Sequence, residues 1–381
     1  MSRARSFSKL INKDNYATYS GSDSVTDISA VSLPQGTLGF RNRIINGDMR
    51  IDQRNAGASV TGYVFYTLDR WIAIQAGTTN RFSVQQNAGA VTPPVGFTNY
   101  LGVVSLSAHS LVAGDYYQIK QSIEGFNVAD FDWGTANARS ITVSFWVRSS
   151  LTGNFGVVVS WGSSGSNQRT YPILYSITSA NTWEYKTITI PGDTTMAAGG
   201  FETGNGGGVQ LRFSLGGWAT SAGTSGSWAA ANFQTVIGDT SVVSTNGATF
   251  YITGVQLEEG TVPTPFEHRP YGTELALCQR YYYTCSRSGY MLGRGNGTTA
   301  LTDLRIPTPV PMRTSPTITD NSGTWYVIDA DSYTNGTGAT FSIGNFSANH
   351  LIVQVGNLTG LTDNRVGMIS LFSGYSLDAE L

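Results

Sequence analysis

The chain is poor in the residue types that catalysis and metal binding use. Its 381 residues include 3 histidines and 2 cysteines, and only 13% are charged, against roughly 25% in ordinary globular proteins. His109, His268 and His350 lie far apart, without the spacing of zinc ligands or of a catalytic triad. The adjacent Glu258 and Glu259 point to opposite faces of a strand, so they do not form a paired acid and base. These absences predict a protein that is not an enzyme.

Charge and hydropathy argue against nucleic-acid and membrane partners. The formal net charge is −2, which provides no global basic surface, and no stretch reaches the ~20 apolar residues that span a bilayer. Residues 1–6 are not followed by the apolar core of a signal peptide. Cys278 and Cys285 do not make a disulfide framework, and we expect buried free thiols. The sequence thus predicts folding in a reducing cytoplasm.

Two short motifs resemble ligand sites without completing one. Asp130-Phe-Asp-Trp133 offers two carboxylates, which leaves calcium open, but two acids do not make a calcium site. Residues 204–208 are glycine-rich but lack the Lys-Ser/Thr of a phosphate-binding loop, so they predict a turn. We therefore predict that the protein needs no cofactor.

Glycine and aromatic residues are abundant instead. The 45 Gly, 19 Tyr and 8 Trp, together with many Ser, Thr and Asn residues, favour strands joined by turns over helices. From about residue 41 to 262, alternating segments such as 141–147 and 183–190 are separated by polar turns, which predicts two packed sheets in a jelly roll. Residues 285–381 contain about five further strands, enough for a smaller β-sandwich domain.

The segment between these two β regions, residues 263–284, is predicted to be a linker. Its prolines stiffen the chain and cannot continue a strand ladder. The stretch from Thr273 to Arg280 has partly helical spacing, with Thr273 as a candidate N-cap, and the aromatic run beyond Arg280 is typical of a strand. The linker therefore contains a short helix or a strand.

Residues 1–40 have few large apolar residues and no sustained periodicity. The segment begins with four cations before any acidic residue: Arg3, Arg5, Lys9 and Lys13. A frayed terminus has this composition, and so does a docking peptide that orders against an acidic socket on a larger assembly. We interpret it as an extended N-terminal docking arm.

Sugar binding requires exposed aromatic rings that stack on pyranose C–H groups, beside side chains that bond hydroxyls. Trp133, Trp218 and Trp228 lie in polar, Gly-rich or Asp-rich segments where exposure is expected, and residues 216–227 form a long loop of the kind that often carries function. The alternative for each ring is the core or a subunit interface. The tryptophans of regularly alternating strands are predicted to be core residues: Trp146, Trp161 and Trp183.

Three segments together resemble a known family. They are Arg43-Ile-Ile-Asn-Gly-Asp-Met49, Tyr66-Thr-Leu-Asp-Arg-Trp71, and Gly254-Val-Gln-Leu-Glu-Glu-Gly260 running into Thr264-Pro-Phe-Glu-His-Arg-Pro-Tyr271. With them, residues 40–381 resemble bacteriophage and prophage virion proteins of the tail-fibre, appendage and decoration type, built around a jelly roll like that of carbohydrate-binding modules. The resemblance implies a virion location after assembly in the host cytoplasm, and a homotrimer.

The resemblance implies a tail-fibre or appendage adhesin that contacts host-surface glycans and joins other virion proteins through its arm. The alternative is a capsid decoration or head-fibre protein that stabilises or ornaments the shell. A glycan-degrading depolymerase would need clustered carboxylates or a β-helix repeat, and the sequence shows neither. Weakly charged, glycine-rich strands also favour a trimer, because assembly covers exposed sheet edges.

Overall fold

The computed structural model describes residues 40–77, 79–162, 168–197, 199–285, 291–321, 324–329, 332–347, 350–359, 361, 365–371 and 374–381. The chain divides into two units, Met1–Arg41 and Asn42–Leu381. The four cations of the predicted docking arm, Arg3, Arg5, Lys9 and Lys13, lie outside the described residues, so the arm stays a prediction.

Residues 42–262 form a sandwich of two antiparallel sheets. Its strands are β1 (Val64–Tyr66), β2 (Ile72–Ala76), β3 (Phe82–Gln86), β4 (Leu101–Ser105), β5 (Tyr116–Glu124), β6 (Ile141–Ser149), β7 (Gly153–Trp161), β8 (Arg169–Ile177), β9 (Glu184–Ile190), β10 (Gly207–Gly217), β11 (Ala222–Gly223), β12 (Thr235–Val236) and β13 (Thr249–Glu259). One sheet has six strands in the order β1, β2, β5, β10, β7, β8, and the other has five in the order β3, β4, β13, β6, β9. The short strands β11 and β12 pair in parallel as a separate two-stranded sheet. The chain crosses repeatedly between the sheets, as in a jelly roll.

The alternation of each strand decides which residues fill the sandwich. In β6, Val143, Phe145 and Val147 are fully buried, because successive residues of a strand face opposite sides. The intervening Trp146 and Arg148 are only partly buried. The same period in β10 sends Leu211 and other apolar residues into one core cluster shared by both sheets. Short 3-10 helices lie in the connections, at Ala88–Ala90, Gly125–Asn127, Ala129–Phe131 and Ala219–Ser221.

The C-terminal region is a second, smaller pair of sheets with its own core. Its strands are β14 (Tyr282–Cys285), β15 (Met291–Gly295), β16 (Leu301–Pro307), β17 (Thr317–Asp320), β18 (Thr324–Asp329), β19 (Ser332–Thr337), β20 (Thr340–Ser347), β21 (His350–Gly356), β22 (Val366–Leu371) and β23 (Tyr375–Asp378). Seven strands follow the order β19, β18, β22, β15, β16, β21, β20, and three follow the order β14, β23, β17. The predicted all-β class, a jelly-roll sandwich followed by a smaller β-sandwich, is confirmed; the domain boundaries stay predictions.

The segment between the two β regions contains both a helix and a strand. Helix α1 (Tyr271–Gln279) is followed at once by β14. The predicted cap at Thr273 is wrong, because the helix starts at Tyr271 with Pro270 as its N-cap and without a side-chain cap. Proline is suited to this end of a helix, where its missing N–H would have no intrahelical partner. Among the described residues, no helix combines the length and apolar character needed to cross a bilayer.

A buried polar corner lies where the Arg43–Met49 segment meets β2. Asn46 is fully buried and has a left-handed φ of 58°. Its side-chain amide donates to the carbonyls of Ile51 (2.8 Å) and Asp69 (3.0 Å), and its Oδ1 accepts the Ile51 N–H at 2.9 Å. The Trp71 indole N–H donates to the Asn46 carbonyl at 3.0 Å. Asparagine suits this position because it tolerates φ > 0 and satisfies the surrounding backbone.

Asp69 makes the stability of this corner depend on pH. Its carboxylate accepts the Gln53 backbone N–H at 3.0 Å and the Gln53 side-chain amide, yet burial dominates and raises the pKa of Asp69 from 3.8 to about 6. The folded protein therefore holds the proton more tightly than the unfolded chain. The stabilising effect of the protonated Asp69 is complete below pH 3.8 and is lost as the pH rises through about 6.

We expect the ionisation of Asp69 to lower the free energy of unfolding by on the order of 2–3 kcal/mol when the pH rises from 4 to 7.5. Urea unfolding of the wild type and of Asp69→Asn at both pH values measures this, since only the wild type titrates at this position. The lost Gln53 bonds affect the variant equally at both pH values. The same pH dependence in both proteins would contradict the assignment.

A buried ionic cluster joins the sandwich to the C-terminal region. The Glu124 carboxylate, at the end of β5, accepts two bonds from the Arg280 guanidinium (2.9 and 2.6 Å) and one from the Tyr281 hydroxyl (2.7 Å). Arg70 lies over the Tyr281 ring, 3.5 Å from its centroid, and forms an ion pair with Glu380 in which both side chains are at most 4% exposed. Arg70 and Glu380, which are more than 300 residues apart in sequence, thus pair in one buried cluster.

Candidate functional site

An aromatic pair stands on the outer face of the five-stranded sheet. Trp146 of β6 projects away from the core because its strand neighbours Phe145 and Val147 project into it. Trp146 is the register partner of Tyr185 in β9 and of Thr253 in β13. The Trp146 and Tyr185 rings are 5.4 Å apart between centroids and tilted by 51°. Tyr185 is 45% exposed, so this pair presents ring surface to solvent.

A β-bulge next to this pair brings in a loop from far away in the sequence. The register of β13 against β6 shifts between Thr253 and Gln256, and Gly254 within the bulge has φ +61°. A Cβ on Gly254 would lie 2.6 Å from the ring of Phe97. Only glycine therefore permits both this backbone conformation and the close approach of the Phe97 ring.

Phe97 belongs to a second aromatic group at the same place. Its ring centroid is 5.1 Å from that of Phe266 and 5.4 Å from that of His268. Phe266 and His268 lie 4.9 Å apart. These contacts hold the chain that leaves β13 against the outer face of the sheet.

Buried polar side chains fix the course of this exit segment. The Glu258 carboxylate accepts the Thr264 backbone N–H at 2.8 Å and its hydroxyl at 2.6 Å, while the Gln256 amide oxygen accepts the Glu267 N–H at 2.9 Å. Arg269 forms ion pairs with Glu267 (3.4 Å) and Glu274 (3.2 Å). Glu258 thus binds Thr264 and anchors the proline-rich wall of the site.

Together these elements enclose an open cleft of about 660 Å³. Its lining residues are Phe97, Trp146, Tyr185, Gly254, Pro263, Thr264, Pro265, Phe266 and His268. Aromatic and proline surface dominates, and polar groups are few: the Tyr185 hydroxyl, the His268 ring, the Thr264 hydroxyl and the Trp146 indole N–H. A lining of this kind suits a ligand with apolar faces and a few hydrogen-bonding groups.

A further aromatic cluster supports the same face of the sheet. Trp183 packs against Tyr100 with ring centroids 5.6 Å apart, and Tyr100 packs against Tyr251 at 5.1 Å. The Trp183 indole N–H donates to the Thr92 carbonyl at 2.9 Å, and the Arg148 guanidinium lies 5.5 Å from the centroid of Tyr251. These contacts hold the loop that carries Phe97 against the sheet.

The predicted exposure of Trp133 is wrong. Trp133 is only 1% exposed and belongs to the main core, with its indole N–H bonded to the Arg139 carbonyl at 2.8 Å. Asp132, which precedes it, has a left-handed φ of 52°, and the turn directs the ring inward. Its polar neighbours stay near the surface, where Asp130 pairs with Arg43 (2.5 Å) and Asp132 with Arg139 (3.8 Å).

The other two predicted sugar contacts lie away from the cleft. Trp218, at the end of β10 in the six-stranded sheet, is 38% exposed. Trp228 is partly buried, with its ring 5.1 Å from Trp133 and its indole N–H on the Pro191 carbonyl at 2.8 Å. Neither lines the aromatic cleft, and their role in sugar contact stays a prediction.

The assignment of the strand tryptophans to the core is correct for Trp161 only. Trp161 is 1% exposed in the sandwich core, whereas Trp146 and Trp183 lie on the outer face of the five-stranded sheet. The alternation of β6 itself carried the missing signal, because Trp146 falls on the opposite parity from Val143, Phe145 and Val147. Sequence reasoning also missed Phe97, Phe266 and His268, which lie in Gly- and Pro-rich loops.

The part of the chain that the structure describes contains no group of three or more His, Cys, Asp or Glu side chains placed to hold a metal. Asp130 and Asp132, the two acids that left calcium open, are bound to separate arginines. Cys278 is buried and Cys285 partly buried, and neither forms a disulfide. Burial raises the pKa of Cys278 well above its ordinary value.

No family model and no curated protein sequence matches this chain. Solved structures give weak matches. The enzymatically active domain of tailspike protein 4 of bacteriophage CBA120 matches 57% of this chain at 14% identity and a TM-score of 0.31, and the match spans 21% of that chain. The family 11 carbohydrate-binding module of Clostridium thermocellum Lic26A-Cel5E matches 55% of this chain and 99% of its own, at 15% identity and a TM-score of 0.27. The N-terminal cellulose-binding domain of Cellulomonas fimi β-1,4-glucanase C matches 51% and 90%, at 14% identity and a TM-score of 0.27. TM-scores of this size are too low to assign a function.

Proposed function

We propose that the protein is a non-enzymatic glycan-binding protein and that the open aromatic cleft is its binding site. The observation that carries this proposal is the Trp146–Tyr185 pair, whose rings stand 5.4 Å apart and tilted on the outer face of the sheet. A pyranose presents C–H groups on the face of its ring, and an exposed indole or phenol offers matching apolar surface. His268 and the Tyr185 hydroxyl line the same cleft and supply bonding groups for sugar hydroxyls, whereas the Thr264 hydroxyl is already bonded to Glu258.

We further propose that the protein serves as a homotrimeric tail-fibre or appendage adhesin of a phage virion, in contact with host-surface polysaccharide. The resemblance of residues 43–49, 66–71 and 254–271 to such proteins supports this. All three segments have structural roles in the fold: residues 43–49 and 66–71 contribute to the buried corner, and residues 254–271 build the cleft floor and wall. Decoration of a capsid would leave an open aromatic cleft without a purpose, so we favour the adhesin.

Replacing Trp146 by alanine is expected to weaken glycan binding by about 10- to 100-fold, which corresponds to about 1.4–2.7 kcal/mol. The loss follows from removing the larger of the two stacking surfaces in the cleft. The wild-type protein is first screened on an array of bacterial surface polysaccharides and neutral β-glucans, and the affinity of each variant for the best ligand is then measured by calorimetry.

The matched control is Trp218→Ala, the same substitution at an exposed ring on the other sheet. Unchanged binding by this variant, together with loss in Trp146→Ala, supports the cleft. Loss of binding in Trp218→Ala alone would contradict the proposal and favour the loop after β10 as the glycan site.

A further inference from the structure

The proline wall of the aromatic cleft, formed by Pro263, Thr264 and Pro265, offers no free hydrogen-bond donor. The two prolines have no backbone N–H. The N–H and the hydroxyl of Thr264 both donate to the Glu258 carboxylate, at 2.8 and 2.6 Å. The Gln256 amide donates in turn to the Thr264 carbonyl and hydroxyl, both at 3.2 Å. The polar groups of Thr264 are therefore used within the protein, and the wall presents mainly apolar surface to the cleft.

Two phenyl rings extend this apolar surface. Phe97 and Phe266 both line the cleft, with their ring centroids 5.1 Å apart in an edge-to-face arrangement. The backbone N–H of Phe97 donates to the Pro94 carbonyl at 3.0 Å, so it too is engaged within the protein. A ligand group placed between the proline wall and these rings meets carbon on both sides.

The bonding groups that remain for a ligand lie elsewhere in the lining. They are the indole N–H of Trp146, the hydroxyl of Tyr185 and the ring nitrogens of His268. Tyr185 and His268 are exposed to solvent. An indole only donates, whereas a phenol and an imidazole both donate and accept. These groups suit a ligand that carries several hydroxyls on one side and an apolar group on another.

The cleft also lacks a counter-ion for a charged sugar. None of its lining residues is Asp, Glu, Lys or Arg. The carboxylate behind the wall, Glu258, is only 3% exposed and is engaged by Thr264 and Gln256. The lining therefore favours an uncharged ligand, because a desolvated charge without a partner is unfavourable.

We infer that the cleft selects an uncharged 6-deoxyhexose. The ring of an ordinary hexose carries a polar substituent at every carbon, whereas that of a 6-deoxyhexose carries a methyl group at C5. With the C–H face of the sugar on Trp146 and Tyr185, this methyl group packs against the proline wall and Phe266, and the hydroxyls face His268, the Tyr185 hydroxyl and solvent. A hydroxymethyl group in the same place loses water without gaining a partner, which weakens binding. This inference rests on the proposed function, since it specifies the ligand of the same cleft.

The test is calorimetric titration of the full chain with matched pairs of methyl glycosides that differ by one oxygen atom. The pairs are methyl α-L-rhamnopyranoside with methyl α-L-mannopyranoside, methyl α-L-fucopyranoside with methyl α-L-galactopyranoside, and methyl 6-deoxy-β-D-glucopyranoside with methyl β-D-glucopyranoside. In the pair whose ring hydroxyls fit the cleft, we expect the deoxy member to bind at least about 5-fold more tightly.

The outcomes separate this inference from the proposed function. A parent hexoside that binds as tightly as its deoxy counterpart, or tighter, in every pair that binds would overturn the deoxyhexose and leave a glycan-binding cleft. Failure of every deoxy glycoside to bind up to its solubility limit would also overturn the deoxyhexose. The glycan-binding function itself fails only if the polysaccharide array gives no ligand either.

Variants of the wall give an independent readout, the ratio of the two affinities within a pair. Pro265→Ser adds an N–H and a hydroxyl to the wall and is expected to reduce the preference to within about 2-fold, whereas Pro265→Val keeps an apolar side chain and is expected to retain it. The matched control is Val262→Ser, which adds the same hydroxyl at a side chain that is 70% exposed and lies outside the lining. Its ratio is expected to equal that of the wild type.

Trp146→Ala distinguishes stacking from selection. It removes surface that both members of a pair use, so both affinities are expected to fall while their ratio stays the same. A Pro265→Ser protein that retains the wild-type melting temperature and the full deoxy preference would contradict the role of the wall.

Discussion

Asn46→Ala is expected to lower the free energy of unfolding by about 4 kcal/mol, a large share of the ~5–15 kcal/mol that stabilises a typical domain. The substitution removes three hydrogen bonds in a fully buried corner and leaves the Ile51 N–H and the Ile51 and Asp69 carbonyls without these partners. Each buried group left unpaired costs about 1–3 kcal/mol. Alanine also fits the left-handed φ of 58° less well than asparagine does.

Two variants separate the bonds from the backbone strain. Asn46→Gly removes the bonds but accepts the left-handed φ, so most of the loss should remain. Asn181→Ala makes the same change at an exposed residue that also has φ 58°, so it should show only the strain of about 1 kcal/mol. Equal losses in Asn46→Ala and Asn181→Ala, measured by urea unfolding, would show that the buried bonds contribute little.

Glu124→Ala is expected to destabilise the protein by about 3 kcal/mol. The side chain of Glu124 is 2% exposed, and that of Arg280 is 30% exposed, so removal of the carboxylate leaves a partly buried cation and the buried Tyr281 hydroxyl without their partner. Breaking a buried pair on one side costs roughly 3–5 kcal/mol, and the exposure of Arg280 places this case at the lower end. Chemical unfolding monitored by tryptophan fluorescence measures the loss.

The control for this change is Glu259→Ala. It breaks the ion pair with Arg139. The side chain of Glu259 is 26% exposed and that of Arg139 is 41% exposed, and solvent screens such a pair effectively. We expect little or no change in stability. A Glu124→Ala protein as stable as Glu259→Ala would mean that the cluster between the sandwich and the C-terminal region does not hold them together.

The sequence predicted the all-β class and several strands, but not the surfaces that the strands build. It also predicted about five strands in residues 285–381, where the described residues contain nine after β14. Segment 141–147 predicts β6 through its alternation, and the same parity places Trp146 outside, although a tryptophan among apolar neighbours suggested the core. Trp133 gave the opposite error, because its acidic neighbours suggested exposure while the turn at Asp132 directs the ring inward. The residue types next to a side chain in the sequence do not decide whether that side chain is buried. Burial depends on the direction in which the backbone points it.

The cleft was beyond prediction for a different reason. Gly254 and Phe97 meet only because a bulge in β13 faces a loop that precedes β4, and no local pattern in either segment specifies that pairing. The exit segment after β13 was recognisable from its prolines, but the bonds from Glu258 to Thr264 that fix its course depend on side-chain orientation.

The ion pair between Arg70 and Glu380 has a consequence for biosynthesis. The two residues are 310 positions apart, and at about 5–20 residues per second the ribosome needs roughly 15–60 s to span that distance. During this interval the guanidinium of Arg70 lacks the carboxylate that neutralises it in the finished protein. The early strands can pair on the ribosome, but the seam around Arg70 closes only after Glu380 emerges. The speed of translation between the Arg70 and Glu380 codons therefore sets how long a nascent chain exposes that seam.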